Sequence, residues 1–420
     1  MKLLWITNIS LPEASILLKE EISPFGGWLI DIAKLLSDNE NIHLNIAFPK
    51  NDAEGIDFIN GEKVNYFTFP SITSKDNQWN NHFSEKIIEQ VKPDIVHIFG
   101  TELYHSHAIV NICKKRNIKC VISIQGLVSI ISKHYTLGLP VDIQRSFTIR
   151  DFIKQDNIKQ QQRKFEKRGK YEIETLQKAS YIIGRTTWDR ACLSFINNNV
   201  KYYHCYETLR SEFYKNKWDI NQCERYSIFI SQGTYPIKGL HFMIEALPLI
   251  LKRFSKARLY IGGPDITRNK SLLEKLKLSS YGKYINTLIQ KYNLENHITF
   301  TGILSEKQIC KRFLLSNAFV CPSTIENSPN SLGEAMILGV PSIASNVGGV
   351  SDLLKHKEEG FIYPSDAPYM LAYYTCEVLG NDQLALNLSK NARIKALKLH
   401  DKHQNYKRLL EIYDDIFNMV

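Results

Sequence analysis

Short apolar runs alternate with amphipathic stretches of helical spacing along most of the chain. KLLWIT at 2–7, HLNIAF at 43–48, VNYFTF at 64–69, DIVHIF at 94–99 and CVISIQ at 120–125 read as strands. Their runs are close to continuously apolar, which suits strands of a parallel sheet covered on both faces. Between them, Leu29, Ile32, Ala33 and Leu36 repeat at helical spacing, and further helices are predicted near 81–91 and 105–116. Such alternation implies βαβ crossovers and a Rossmann-like domain. SYIIGRTTWDRACLSFINN adds one more strand and helix, after which KYYHCYETLRSEFY opens an irregular, charged stretch that lasts to about Arg225.

The pattern then starts again. YSIFIS is a strand, QGTYPIKGL a loop and HFMIEALPLILKRF a helix; ARLYIGGP and HITFTGIL are strands, and SEKQICKRFLLS a helix. A chain of 420 residues is too long for one ordinary core and suits two domains of about 150–200 residues each. We therefore expect an α/β protein with a first Rossmann-like domain at 1–208, a linker at 209–225, a second Rossmann-like domain at 226–398 and a final amphipathic helix at 399–420. That helix carries Tyr406, Leu409, Leu410, Tyr413, Ile416, Phe417 and Val420 on one face.

Composition narrows the class. With 44% apolar and 11% aromatic residues the chain is globular, and no apolar run approaches the roughly 18–20 residues that span a bilayer. MKLLWITNIS reads as a first strand rather than a signal peptide, so a cytoplasmic location is expected. The eight cysteines are scattered with no C-x-x-C pair, which argues against a zinc site or a disulfide framework. A net charge of +10 suits an anionic partner. Part of it is concentrated between Arg145 and Lys170, where nine basic residues face three acidic ones. Either this is a solvated helix face, or it docks on an anionic membrane or a lipid-linked phosphorylated acceptor through charge plus Phe147, Phe152, Ile153 and Phe165. No recognised nucleic-acid module accompanies it.

The candidate chemistry lies in NAFVCPSTIENSPNSLGEAMILGVPSIAS, residues 317–345. Phe319, Val320 and Cys321 read as a buried strand ended by Pro322, which puts Glu326 in the loop beyond a strand's carboxyl end, where open α/β sheets bind ligands. Ser331 precedes Glu334 by three, a capping-box spacing at the start of a helix that Gly339 and Pro341 stop. The spacing alone allows Glu334 to be only a cap and Glu326 only a solvated loop residue, whereas the first-turn N–H groups could hold an anion. Gly26 and Gly27 stand before the first domain's opening helix, and Lys238 and Gly239 before the second's. His97, inside a strand, is expected to be a core histidine.

The E-x7-E spacing with PNSLGEAM inside it, followed by GVPSIASNVGGV, resembles the donor site of GT-B retaining glycosyltransferases of the glycogen-synthase-like group, family 4. The likeness continues through Lys238-Gly239, Gly262-Gly263, Gly348-Gly349 and EEGFIYP, and so covers most of 226–365. It implies two Rossmann-like domains facing a cleft, with the last helix crossing back to the first domain. It also implies transfer of a sugar from a UDP- or GDP-sugar to a hydroxyl of a glycan or lipid-linked acceptor in cell-surface polysaccharide synthesis. The resemblance gives Glu326 the donor sugar's hydroxyls and Glu334 the ribose, with Lys238 neutralising the departing diphosphate and the N–H groups around Asn330, Ser331 and Leu332 gripping the distal phosphate. Gly26, Gly27, Gln125, Gly126 and Gly263 would line the donor.

This chain departs from the family pattern in three places. It has Gln125 where a histidine is frequent, Gln232-Gly233 in the region of an arginine, and Ser351-Asp352 where a glutamate is more usual. There is no Asp-x-Asp motif, so neither a metal nor a cofactor beyond the nucleotide-sugar substrate is expected. A nucleotide-sugar epimerase of the same architecture and a non-catalytic donor-binding scaffold for a partner transferase are the alternatives.

Overall fold

The computed structural model describes residues 1–23, 26–71, 77–268 and 271–419, so Val420 of the expected apolar face lies outside the described residues. Residues 1–129, 167–209 and 400–420 form one compact unit, and residues 130–166 and 210–399 form another.

The first unit is built on an eight-stranded sheet among the described residues. Its strands are β1 (Lys2–Ile6), β2 (His43–Lys50), β3 (Asp57–Asn60), β4 (Asn65–Pro70), β5 (Ile95–Phe99), β6 (Lys119–Ser123), β7 (Tyr181–Gly184) and β8 (Lys201–His204), in the order β3-β4-β2-β1-β5-β6-β7-β8. All pair in parallel except β3, which runs antiparallel to β4. The sequence pattern does not signal β3 or β8. Both are short edge strands with exposed residues, so neither carries an apolar run.

The core lies between this sheet, the Gly27–Ser37 helix and the Lys402–Asn418 helix, from which Ile412, Tyr413 and Ile416 are fully buried. Burying Tyr413 requires a partner for its hydroxyl. The Trp5 indole N–H donates to it at 2.9 Å, and it bonds Nδ1 of His97 at 2.6 Å. The other ring nitrogen of His97 bonds Ser123 Oγ at 2.7 Å. Burial depresses the His97 pKa to about 3, so the ring is a neutral part of the core.

The second unit holds a six-stranded, wholly parallel sheet among the described residues. Its strands are β9 (Glu224–Ile230), β10 (Arg258–Ile261), β11 (Ile298–Phe300), β12 (Ser316–Cys321), β13 (Ser342–Ser345) and β14 (Phe361–Tyr363), in the order β11-β10-β9-β12-β13-β14.

Two parts of this unit differ from the sequence expectation. Residues 130–166, expected in the first domain, group with the second because their polar and close contacts are there. Thr324 Oγ1 donates to the His134 carbonyl at 3.1 Å, His241 Nε2 bonds the Leu137 carbonyl at 3.1 Å, and the Ser280 N–H donates to Asp151 at 2.8 Å. Residues 210–225, expected as a linker, are packed: Phe213 is fully buried, and the Trp218 indole N–H donates to the Ser316 carbonyl at 2.8 Å. Aromatic anchors with satisfied polar tips make this stretch part of the unit's wall despite its charged composition. No described helix is long and apolar enough to cross a membrane.

Candidate functional site

In the second sheet β9 and β12 are neighbours, and the chain leaves them in opposite directions, through β10 and β11 on one side and through β13 and β14 on the other. This is a topological switch point, where the loops after the two strands diverge and leave a crevice at their carboxyl ends. Lys238 ends the turn Pro236–Lys238 after β9, and Glu326 lies in the loop after β12.

Gly239 brings these loops together, and Gly348, after β13, seats its own loop on Glu326. Gly239 has φ +67°, and a Cβ there would stand 1.8 Å from the Pro322 carbonyl oxygen. The Thr324 N–H then reaches the Ile237 carbonyl at 2.8 Å. Gly348 has φ +52°, and a Cβ there would meet the Glu326 carbonyl oxygen at 1.8 Å, the same oxygen that accepts from the Gly349 N–H at 3.1 Å. Only a residue without a side chain permits either approach.

The result is a direct ion pair: Lys238 Nζ donates to Glu326 Oε1 at 2.6 Å, and Ser323 Oγ donates to the same oxygen at 2.8 Å. Both side chains are largely buried, at 26% and 14% exposure. Burial works against the Lys238 ammonium, but the Glu326 charge and hydrogen bond outweigh it and hold the pKa above the ordinary lysine value. Lys238 is a fixed cation.

The helix after Glu326 runs Asn330–Leu338 with Pro329 at its N-cap and Gly339 in the left-handed conformation at its end. No side chain caps its start, so the capping box expected from Ser331 and Glu334 does not form. The helix begins two residues earlier than that box requires, and Glu334 lies past the first turn. The N–H groups of Leu332 and Gly333 turn back to the Pro329 carbonyl at 3.0 and 3.2 Å, so the Leu332 N–H already has an intramolecular partner that a phosphate would have to share or displace.

Glu334 takes a different cation. Arg210 Nε donates to one carboxylate oxygen at 2.6 Å and Arg210 NH2 to the other at 2.7 Å, a bidentate fork, while the guanidinium stacks 4.8 Å from the Phe213 ring centroid. Burial raises the Glu334 pKa above the usual carboxylate value, and the Arg210 hydrogen bonds and charge oppose that rise. Arg210 is absent from the sequence reading. It lies in the stretch taken as a linker, far from Glu334 in the chain, and only its position just before the aromatic residues of 213–218 hints at a packed role. Gly263 stands just past β10 with φ +102° and pairs with Gly302.

The remaining sequence-predicted residues are in the first unit. Gly26, at φ +77°, is the N-cap of the helix that Gly27 begins. Gln125 and Gly126 follow β6, but the Gln125 side chain is engaged: Nε2 donates to Glu207 Oε1 at 2.9 Å, and Arg185 pairs with the other Glu207 oxygen at 2.5 Å. Arg185 also donates to the carbonyls of Ile124 and Gln125 at 3.0 and 3.1 Å. Buried Glu172 accepts from the N–H groups of Val128 and Ser129, both at 2.9 Å, and so fixes the chain just beyond Gly126. These three charged residues have no motif around them and were not foreseen. Beside them is a small, mainly apolar cavity of about 50 Å3, at the carboxyl ends of β1, β5, β6 and β7, lined by Trp5, Trp28, His97, Ser123, Glu207 and Asn405 among others.

Comparison with known proteins finds likenesses to this arrangement. Residues 210–395 match the family described as Glycosyl transferases group 1. Among curated proteins, the chain is similar to the putative glycosyltransferase YtcC of Bacillus subtilis, 28% identical over 205 residues that cover 48% of each chain. The chain spans about half the length of the curated relatives it matches. Among solved structures it is similar to sucrose-phosphate synthase from Thermosynechococcus elongatus, with TM-score 0.73, 17% identity and 99% of each chain covered. It is also similar to HepE of Anabaena in complex with UDP and glucose, with TM-score 0.68, 16% identity, and coverage of 99% of this chain and 100% of that one. At these identities the likeness is one of fold, the GT-B fold.

Proposed function

We propose that the chain is a glycosyltransferase, because residues 210–395 match the glycosyl transferases group 1 family. It moves a hexose or N-acetylhexosamine from a UDP- or GDP-sugar to a hydroxyl of a glycan or lipid-linked acceptor, in cell-surface polysaccharide synthesis. The observation that carries this reading is the Lys238–Glu326 pair, 2.6 Å long, at the switch point of the second sheet.

Departure of a nucleoside diphosphate is a leaving-group problem, and a fixed cation at a strand end meets the charge that develops there. Lys238 takes that role without a resident metal or cofactor, and as the donor enters, the diphosphate replaces Glu326 as its counter-ion. Glu326, released, accepts hydrogen bonds from the sugar's hydroxyls. Glu334 bonds the ribose hydroxyls, and Arg210 keeps it oriented: a carboxylate oxygen has two acceptor sites, so a ribose hydroxyl can bond beside the guanidinium. The N–H groups at Asn330, Ser331 and Leu332 grip the distal phosphate, and Gly263 lets backbone approach the donor.

The reaction retains the anomeric configuration. The bond from the anomeric carbon to the diphosphate oxygen breaks, a bond to the acceptor oxygen forms on the same face, and the acceptor's proton passes to the departing diphosphate. Such a step needs no imidazole, which fits Gln125 in place of histidine. The enzyme works in the cytoplasm at the inner face of the cell membrane, which the basic stretch 145–170 favours electrostatically.

Incubation with UDP- and GDP-sugars and a panel of lipid-linked and glycan acceptors, read by mass and by the anomeric coupling constant of the product, tests the proposal. A new glycoside with the donor's anomeric configuration supports it. Inversion removes the retaining mechanism, and conversion of the donor without acceptor indicates an epimerase instead.

A further inference from the structure

The basic stretch that starts at Arg145 does not form one helix. It breaks into Val141–Arg145, Ile149–Lys154 and Ile158–Lys178. Phe165, a candidate docking residue in the sequence, instead packs on Tyr135 with ring centroids 5.2 Å apart.

The Ile149–Lys154 helix behaves differently. Ile149, Phe152 and Ile153, spaced i, i+3 and i+4, share one face and are exposed, the last two at 70% and 73%. Asp151 on the opposite face is the buried residue of this helix, pinned by the Ser280 N–H at 2.8 Å. The helix has thus turned its apolar face outward, the reverse of a core-facing helix.

A second helix, Leu272–Lys277, lies against it in the same unit and does the same. Leu272, Leu273 and Leu276, also on one face, are 79%, 69% and 44% exposed. Neither exposure reflects a helix without caps. Thr148 caps the first at Asp151, and Ser271 and Glu274 form a complete capping box on the second.

Charge identifies the partner. Among the described residues of 145–154 and 268–277 there are six basic residues and two acidic ones, and one of the two, Asp151, is buried. Large apolar side chains ringed by lysine and arginine are the chemistry of insertion into an anionic lipid surface: the apolar tips enter the acyl boundary while the cations stay at the headgroups. A nucleic acid offers nothing to the six aliphatic and aromatic tips, and a patch of this kind left in water is an interaction site.

We infer that the apolar faces of the Ile149–Lys154 and Leu272–Lys277 helices together form a docking surface for an anionic bilayer. This surface rests on the reading above for its purpose, the delivery of a membrane-held acceptor, and it relocates the contact from the basic helix to these two apolar faces.

The test is co-sedimentation of the full chain with phosphatidylcholine vesicles with and without 30% phosphatidylglycerol, while stabilisation by UDP- or GDP-sugar is followed separately. The wild type should bind the anionic vesicles, more weakly at high salt. The double variants Phe152→Asp/Ile153→Asp and Leu272→Asp/Leu273→Asp should each lose at least tenfold in partitioning and keep the wild-type melting temperature. Arg163→Glu/Lys164→Glu should lose less than either. The inference is overturned if wild type ignores anionic vesicles, or if the apolar variants bind as wild type does. It is equally overturned if wild type is a dimer that Phe152→Asp/Ile153→Asp makes monomeric, since the patch would then cover a second copy. Vesicle binding without any nucleotide-sugar stabilisation would sink the transfer reading and leave the surface standing.

Discussion

The two units solve the same problem, polar groups at the carboxyl ends of a parallel sheet, in different ways. In the second unit the strand ends carry two separate carboxylate–cation pairs, Lys238 with Glu326 and Arg210 with Glu334. In the first, the core beneath the strand ends is a neutral web of Trp5, Tyr413, His97 and Ser123, and the one glutamine of interest is tied to an Arg185–Glu207 pair. Fixed charges with donors beside them can exchange a partner for a charged ligand. A neutral web can only hold shape, and the Arg185–Glu207 pair beside it is already committed to Gln125 and to the Ile124 and Gln125 carbonyls. On the function proposed above, donor chemistry is concentrated in the second unit, whose two pairs lie by the switch point.

Lys238→Met should give the largest effect, lowering kcat by roughly 10²–10³ because it removes the cation that meets the leaving group, and it should also lower the melting temperature because Glu326 loses its counter-ion. Steady-state assays with the identified donor measure it. An equal loss in Gln125→Ala would erase the contrast between the units.

Arg210→Met acts on stability first. It leaves the Glu334 carboxylate buried without its partner, at a cost of roughly 3–5 kcal/mol in chemical denaturation. Burial already raises the Glu334 pKa, so the penalty should shrink as pH falls and the carboxyl takes a proton. Arg210→Lys should recover part of the stability but not the bidentate geometry. Gly239→Ala should cost more than the roughly 1–3 kcal/mol of its positive φ, because its Cβ would also meet the Pro322 carbonyl oxygen, and should lower kcat as Lys238 is pushed from Glu326. In the first unit Tyr413→Phe should cost about 1–3 kcal/mol, since it strips hydrogen bonds from Trp5 and His97, and leave the nucleotide affinity unchanged.

The smallest effect concerns acid. Burial lowers His97 to about 3 and both His105 and His400 to about 4, all in the first unit, against His241 at about 4 in the second. The unfolded imidazole takes its proton near 6.5 and the folded one does not, so this stability is complete above that pH and is lost as pH falls from about 6.5 towards 4. The first unit should loosen before the second on acidification. Trp218 is the second unit's only tryptophan, so indole fluorescence in Trp218→Phe follows the first unit alone.

Most of the fold was legible because central strands carry continuous apolar runs. Edge strands β3 and β8 have none, and they were missed for that reason. Lys238, Glu326 and Glu334 were singled out through the resemblance their motifs carry; spacing alone left Glu334 as a candidate cap, and that capping box does not form. Arg210, Arg185, Glu207 and Glu172 were not, since each meets its partner across a long stretch of chain and nothing local marks it. The same limit misplaced residues 130–166. Their allegiance rests on scattered hydrogen bonds to His241, Ser280 and Thr324, while their composition announces only a basic surface.

Titration calorimetry of UDP and GDP against wild type and Lys238→Met tests the central claim most directly. The account predicts one saturable site for at least one of the two nucleotides, weakened at least tenfold in the variant. Binding of neither nucleotide, or equal binding to both proteins, would contradict it.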